Sequence, residues 1–431
     1  MRVPPIVHRS IVSVTAAELP IVLLVAPALL FPSPARLPIA LLIPVIWIGH
    51  KYLGRGAIPA TPLNAPIAVL LVMTGVSVLA NVTVAFNLGK VSGLLLGVVI
   101  FWAMTRWMTT PATLKTGTVL FLMAGAALAV VGLLGTNWMN KFAALGPILA
   151  RLPRAIRGVP GAEEGFQPNA VAGCLVLFIP LQLALLATDA RRRNIGRALI
   201  QIALLFLTAG TLLLTQSRGA WVGLAAAAVA FLAWHGWRTR VVAAIGAAGA
   251  LIVGTALGST RLLDLAISRS GPGMAGNVSG RVELWSRALY GIQDFPVTGM
   301  GMNAFRKVMP ALYPTFLTAQ DFDVAHAHNH LLQAALDLGV PGLIAYLSIW
   351  LVVVVLLVRV YRHGREPVYR LMAGGLGAGL IAHFLFSTTD VIPLGSKAGV
   401  LFWMALAVVV ALHDVALGSA RDGRPEGLHY D

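Results

Sequence analysis

Twelve stretches of this chain run apolar for close to the length of a membrane crossing, and nothing else in it constrains the fold as much. An α-helix rises 1.5 Å per residue, so about 20 apolar residues cross a hydrocarbon core roughly 30 Å thick. Inside lipid every backbone N–H and C=O must find its partner within the protein, which leaves helices or closed barrels. The ten-residue alternation of a barrel strand is absent, so helices remain. The stretches are 11–31, 37–53, 64–86, 91–108, 114–134, 168–188, 197–214, 218–235, 241–258, 341–360, 370–388 and 398–416, the second and eighth being short. Composition agrees: 58% of residues are hydrophobic and 11% charged, where a soluble chain carries about a quarter charged. The expectation is an all-α polytopic membrane protein of about 12 transmembrane helices, forming one domain over residues 1–431. The opening "MRVPPIVHRS" and the apolar run behind it read as a first helix that stays, since no convincing cleavage site follows.

The formal charge of +16 would raise nucleic acid as a partner in a soluble protein. Here the basic residues lie mainly between apolar runs, so membrane topology accounts for them first and no nucleic acid is expected. Arg2 and Arg9, Lys51 and Arg55, Arg106 and Lys115, Arg191 to Arg193 with Arg197, Arg238 and Arg240, Arg359 to Arg370, and Arg421 and Arg424 fall on one side. The short connections on the other side hold one each: Arg36, Lys90, Arg218 and Lys397. Basic loops stay cytoplasmic, which puts both termini inside. Two long segments then fall outside, 135–167 and 259–329. They are basic too, with Lys141, Arg151, Arg154 and Arg157 in the first and Arg261, Arg269, Arg281, Arg287, Arg306 and Lys307 in the second. Long loops cross regardless of charge, so this charge has another use: an anionic ligand or contact with lipid headgroups. Cys174 is the single cysteine, which excludes intramolecular disulfides and thiolate metal clusters. Gly93/Gly97, Gly254/Gly258 and Gly375/Gly379 have the spacing of close helix packing.

Three places hold chemistry. In "TQSRGAW" Arg218 sits in the tight outer turn between two apolar runs, either as an ordinary interfacial arginine or as a guanidinium held at the lipid boundary. A guanidinium there suits a lipid-anchored anion, because it grips phosphate oxygens two at a time. In "SGRVELWSRALYGIQDFPVTGMGMNAF" Ser279 reads as an N-cap, and Leu284, Trp285, Ala288, Leu289 and Ile292 form the apolar face of a short surface helix. Arg281, in its first turn, faces no local partner, because Glu283 is only two residues away. In "AHAHNHLLQAALDLG" His326, His328 and His330 gather before a short helix that Gly339 and Pro341 interrupt. They could bind a metal with Asp321 and Asp323, serve structure, or supply a base; His328, at the helix N-terminus, is the favoured base. Asp390 and His383, at the eleventh run, read as packing or interface groups, or, in a transporter, as the nearest thing to a proton path.

These pieces, in order, resemble the O-antigen ligase and polymerase superfamily, which also includes the bacterial O-linked oligosaccharyltransferases. They are Pro168-Asn169 with Ala172, "SRGAW", "SGRxxLW…P…GxG…F", and His328-Asn329 followed after nine residues by "GVPG". The resemblance implies a GT-C-like glycosyltransferase of the bacterial inner membrane, working in lipopolysaccharide biosynthesis on the periplasmic face. Its donor would be a glycan on undecaprenyl pyrophosphate, and its acceptor a lipid A–core sugar or, in a polymerase, a second lipid-linked glycan. The reaction would invert configuration and need neither metal nor cofactor. Carried over residue by residue, Arg218 and Arg281 would grip the pyrophosphate and His328 would serve the acceptor hydroxyl. Asn329, Asn169, Arg287 and His326 would be candidates for positioning substrate. The rival of another class is a polytopic transporter or lipid flippase.

Overall fold

The computed structural model describes residues 5–80, 84–235, 241, 278–317 and 324–418. The apolar run at 241–258, the Gly254/Gly258 pair, Arg261, Arg269, Asp321 and Asp323 lie outside the described residues. What is described is helical, with two isolated β-bridges and no strand. In chain order the helices are α1 (Pro5–Ala16), α2 (Glu18–Leu30), α3 (Leu42–Tyr52), α4 (Asn64–Leu79), α5 (Val84–Trp107), α6 (Pro111–Gly135) and the single turn α7 (Gly146–Leu149). There follow α8 (Pro168–Leu175), α9 (Ile179–Arg191), α10 (Ile195–Thr215), α11 (Arg218–His235), α12 (Val278–Asp294), α13 (Phe305–Leu312), α14 (His330–His363), α15 (Pro367–Ser387) and α16 (Val400–Leu417).

The last helix is the middle of the molecule. Every residue of α16 from Phe402 to Leu412 is buried, so it is apolar all round because it has neighbours all round. It packs on α5, α6, α14 and α15. Small residues set the approach. A Cβ on Gly97 would lie 2.1 Å from the Trp403 ring, and one on Gly93 would lie 2.3 Å from the Gly395 carbonyl oxygen. Gly375 and Gly379 likewise face α9 and the Leu177 backbone, so both described glycine pairs mark tight packing. By contrast α10 shows Leu199, Ile202 and Phe206 outward, as a helix bordered by lipid does.

The expected count of twelve spans is not reached among the described residues. Seven helices are long and apolar enough to cross a membrane: Phe86–Trp107, Pro111–Gly135, Pro168–Arg191, Ile195–Thr215, His330–His363, Pro367–Ser387 and Lys397–Leu417. An eighth crossing needs α1 and α2 together, and these are bent by 64° at Ala17. Runs 37–53, 64–86 and 218–235 form shorter apolar helices. An apolar run in sequence carries no information about where a bend divides it. The protein is a multi-pass membrane protein, with seven such helices among the described residues, or eight if α1 and α2 make one bent span.

At one end of the bundle the chain builds a clamp. Helix α14 is interrupted at Gly339, where φ is 69° and ψ is 177°. Val340 N–H, freed by the break, donates to Pro296 O (2.8 Å), and Met300 N–H donates to Leu336 O (2.7 Å). The turn after α12 thus plugs into the kink. A Cβ on Gly339 would stand 2.0 Å from Val297 O, and one on Gly299 would stand 2.6 Å from Leu336 O. Two glycines are needed because two backbones touch there. Beyond the turn, Met302 N–H donates to Ser77 Oγ (2.6 Å) and Asn303 Nδ2 to Phe86 O (3.1 Å), so the segment also rests on α4 and α5. Ser279 lies inside α12 rather than capping it.

Candidate active site

The site is assembled where α10 ends. Gln216 takes a left-handed conformation (φ 53°) that stops α10 and lets α11 begin at Arg218. Its buried amide then reaches across to the segment 136–167. Gln216 Oε1 accepts from the backbone N–H of Lys141 (2.8 Å) and Phe142 (2.6 Å), and Nε2 donates to Met139 O (3.0 Å). Phe142 stacks on Trp221 with ring centroids 5.5 Å apart, and the Arg218 guanidinium carbon lies 5.6 Å from the Phe142 ring centre. One amide side chain therefore fixes Lys141 beside Arg218. The other end of this segment is tied by Asn137 N–H to Phe166 O and Phe166 N–H to Gly135 O, and Lys397 Nζ holds the Pro160 carbonyl. Arg151, Arg154 and Arg157 stay exposed on it, so of its four basic residues Lys141 is the one turned inward.

Lys141, Arg218 and Arg281 line one partly open cavity, with Asn169, Gln216, Ser217, Thr389 and Asp390. Arg281 arrives from the first turn of α12, a helix held in place by the Gly299–Gly339 clamp. Its Nε is buried without a hydrogen-bond partner among the described residues. Burial, and then Arg218 and Arg281, push the Lys141 ammonium below its ordinary range against the opposing pull of Asp390. Three cations around one small space repel one another, and an anion with several oxygens would relieve all three.

Asp390 forms the wall between this cavity and the histidines. Its Oδ1 lies 3.2 Å from His328 Nδ1, and its Oδ2 accepts from Asn169 Nδ2 (2.8 Å). A carboxylate accepts, so Nδ1 of His328 carries a proton, and in the neutral ring the lone pair is then on Nε2; this tautomer is assigned from the hydrogen-bond network. Burial alone would push the Asp390 carboxyl up. The hydrogen bond and charge of His328, then His326 and Arg281, outweigh it and hold the carboxyl below the usual carboxylate range. The His326 ring stands edge-on to His328 at 4.4 Å, and burial followed by His328 pushes its imidazole down to about 3. His328 itself is left-handed (φ 50°), the bend by which the chain enters α14.

Several sequence-level candidates are used elsewhere. Asn329 caps α14, with Oδ1 accepting from Leu331 and Leu332 N–H and Nδ2 donating to Thr388 O, so its whole amide serves the backbone. Arg287 turns away from the cavity: Nε donates to Pro314 O (3.0 Å), and the guanidinium lies over Tyr290 and Phe316. His330 bonds Tyr346 Oη through Nδ1 (2.9 Å) and packs on Phe384 inside the bundle, so the three histidines do not converge. Asn169 and His326 remain at the site. Asp390, read from sequence as a packing or interface group, is instead the carboxylate of this site, while His383 bonds the Gly173 carbonyl apart from it. Lys141 and Gln216 were not singled out for the site. Nothing local marks them; the one available signal was Gln216 lying two residues before Arg218 in an apolar setting.

Residues 203–347 of the chain match a family model described as O-antigen ligase. No curated protein matches the chain. The matched segment contains Arg218, Arg281 and His328, while Lys141, Asn169 and Asp390 come to the same site from outside it.

Proposed function

From the match of residues 203–347 to the O-antigen ligase family model, we propose that this chain is a member of that superfamily and transfers a glycan from undecaprenyl pyrophosphate to an acceptor hydroxyl on lipid A–core. The carrying observation is that Lys141, Arg218 and Arg281 line one cavity whose wall, Asp390, also holds His328. The pyrophosphate occupies the cavity, at the periplasmic end of a protein of the bacterial inner membrane with both termini in the cytoplasm. The segments 135–167 and 259–329 are the periplasmic loops.

The chemistry follows from charge. Breaking the sugar–pyrophosphate bond leaves negative charge on the departing oxygen, and fixed cations stabilise it as it develops. Arg218 and Arg281 bind phosphate oxygens in pairs, and Lys141 adds a point charge. His328 Nε2 takes the proton of the acceptor hydroxyl while that oxygen attacks the anomeric carbon. The anomeric C–O bond breaks, undecaprenyl pyrophosphate leaves, and configuration inverts. Asp390 fixes the tautomer and stabilises the imidazolium that forms, and Asn169 orients Asp390. No metal takes part, and a GT-C-like scaffold carries the site.

Purified protein is given undecaprenyl-pyrophosphate glycan with lipid A–core, or with a second lipid-linked glycan, and the products are weighed. A lipid A–core conjugate supports the ligase, a lengthened lipid-linked chain a polymerase of the same superfamily. Counterflow of lipid-linked glycan in proteoliposomes without a new glycosidic bond overturns both in favour of a flippase. Arg218→Ala, Arg281→Ala and His328→Ala are each expected to abolish transfer while the protein stays in the membrane. Full activity in any one removes that residue from the mechanism. Transfer is expected to persist in EDTA.

A further inference from the structure

We propose that His326, His328 and Asp390 form a binding site for a zinc-class divalent cation. One ring nitrogen of each histidine and one carboxylate oxygen lie within 4.8 Å of one another. Two ligands on a tetrahedral zinc stand about 3.3 Å apart, and His328 Nδ1 is already 3.2 Å from Asp390 Oδ1. Only the His326 ring has to close in, and it stands 4.4 Å from its neighbour with no ring in between. His326 Nδ1 is buried with no hydrogen-bond partner among the described residues, a position that buried polar atoms rarely hold without a ligand or water.

The support around the three groups is that of a metal centre. Asn169 Nδ2 holds the second oxygen of Asp390, the kind of outer contact that orients a ligating carboxylate. The His328 backbone is pinned between its left-handed turn and the Asn329 cap. Two imidazoles and one carboxylate suit zinc, cobalt, nickel or copper; magnesium and calcium need more oxygen ligands than the site offers. The charge nearby argues about strength. Lys141, Arg218 and Arg281 line the adjoining cavity and oppose a dication, so binding is weaker than in a closed structural zinc site. Whichever ring nitrogen of His328 the ion takes, the imidazole has no lone pair left for a proton. The ion therefore inhibits transfer, a consequence that rests on the function proposed above, whereas binding itself does not.

The experiment uses untagged, metal-stripped full-length protein in detergent, titrated with Zn²⁺ by calorimetry and with Co²⁺ by visible absorption. One saturable equivalent per chain is expected, with the absorption of cobalt held by nitrogen and oxygen. His326→Gln and Asp390→Asn should each weaken it at least about 10-fold, and Asn169→Ala, an outer contact, by about 10-fold. Gel filtration and thermal melting show which variants are folded, and the wild-type cobalt spectrum stands independently of them. No saturable binding in the wild type, wild-type affinity in folded His326→Gln and Asp390→Asn, or equal competition by Mg²⁺ overturns the proposal. Zinc that binds as expected but leaves transfer untouched upholds the site and overturns His328 as the base.

Discussion

Asp390 and Lys141 carry the residue-scale consequences. Asp390 bonds both His328 and Asn169, so removing its charge while keeping its shape separates orientation from packing. Asp390→Asn is expected to lower kcat by about two to four orders of magnitude, the range of one general base, with KM for the lipid-linked donor little changed. A wild-type pre-steady-state rate in this variant would remove the carboxylate from the proton path. Lys141 acts by charge in the proposed scheme. Lys141→Ala should raise donor KM and lower kcat together, and Lys141→Arg should restore most of the loss; failure of the arginine to rescue a folded protein would mean that Lys141 serves packing. Sequence alone singled out Arg218, Arg281 and His328 through their local patterns. It gave no such pattern for Asp390, which follows the end of α15 as an ordinary polar residue until folding brings it to His328, 62 positions away.

At the scale of elements, the break in α14 sets the distance between the arginine helix and the histidine. Gly339 sits at φ 69° and ψ 177°, a region that only glycine occupies without strain. Gly339→Ala would add about 1–3 kcal/mol of backbone strain and a Cβ 2.0 Å from Val297 O. The turn at 296–300 would have to leave the kink, taking α12 and Arg281 with it. The expected result is a lower melting temperature in detergent and loss of transfer. An alanine variant that melts and reacts as wild type would show that the clamp does not hold α12. Sequence foresaw the interruption at Gly339 and Pro341 and the helix before it. It did not foresee the occupant, because the hydrogen-bond partners of a broken helix come from elsewhere in the chain.

For the whole molecule, the prediction concerns sidedness. Arg154 and Arg192 are both exposed, on segments at opposite ends of the run α8–α9, and Cys174 is the single native thiol. In a Cys174→Ala background, Arg154→Cys should react with a membrane-impermeant maleimide in intact spheroplasts. Arg192→Cys should react only after lysis. The reverse pattern would invert the topology and put the cavity on the cytoplasmic side. The basic loops imply the orientation, and the structure adds that the ends of α6, α10 and α15 and the starts of α11 and α14 meet on one side, whichever side that is. The number of crossings was the weaker inference, since hydropathy registers apolar length and not the bend of 64° between α1 and α2.

Composition and periodicity determined by themselves that the chain is helical and membrane-embedded, because those properties depend on what each residue prefers as solvent over about one helix length. Local patterns went as far as nominating two arginines and one histidine. Only the tertiary structure decided that the two arginines share a cavity with Lys141 and Asp390, that Asp390 also holds His328, that Asn329 and Arg287 serve the frame, and that His330 turns into the bundle. The physical reason is range: a burial preference is written residue by residue, but a hydrogen bond between positions 169 and 390 exists only once the helices between them have packed.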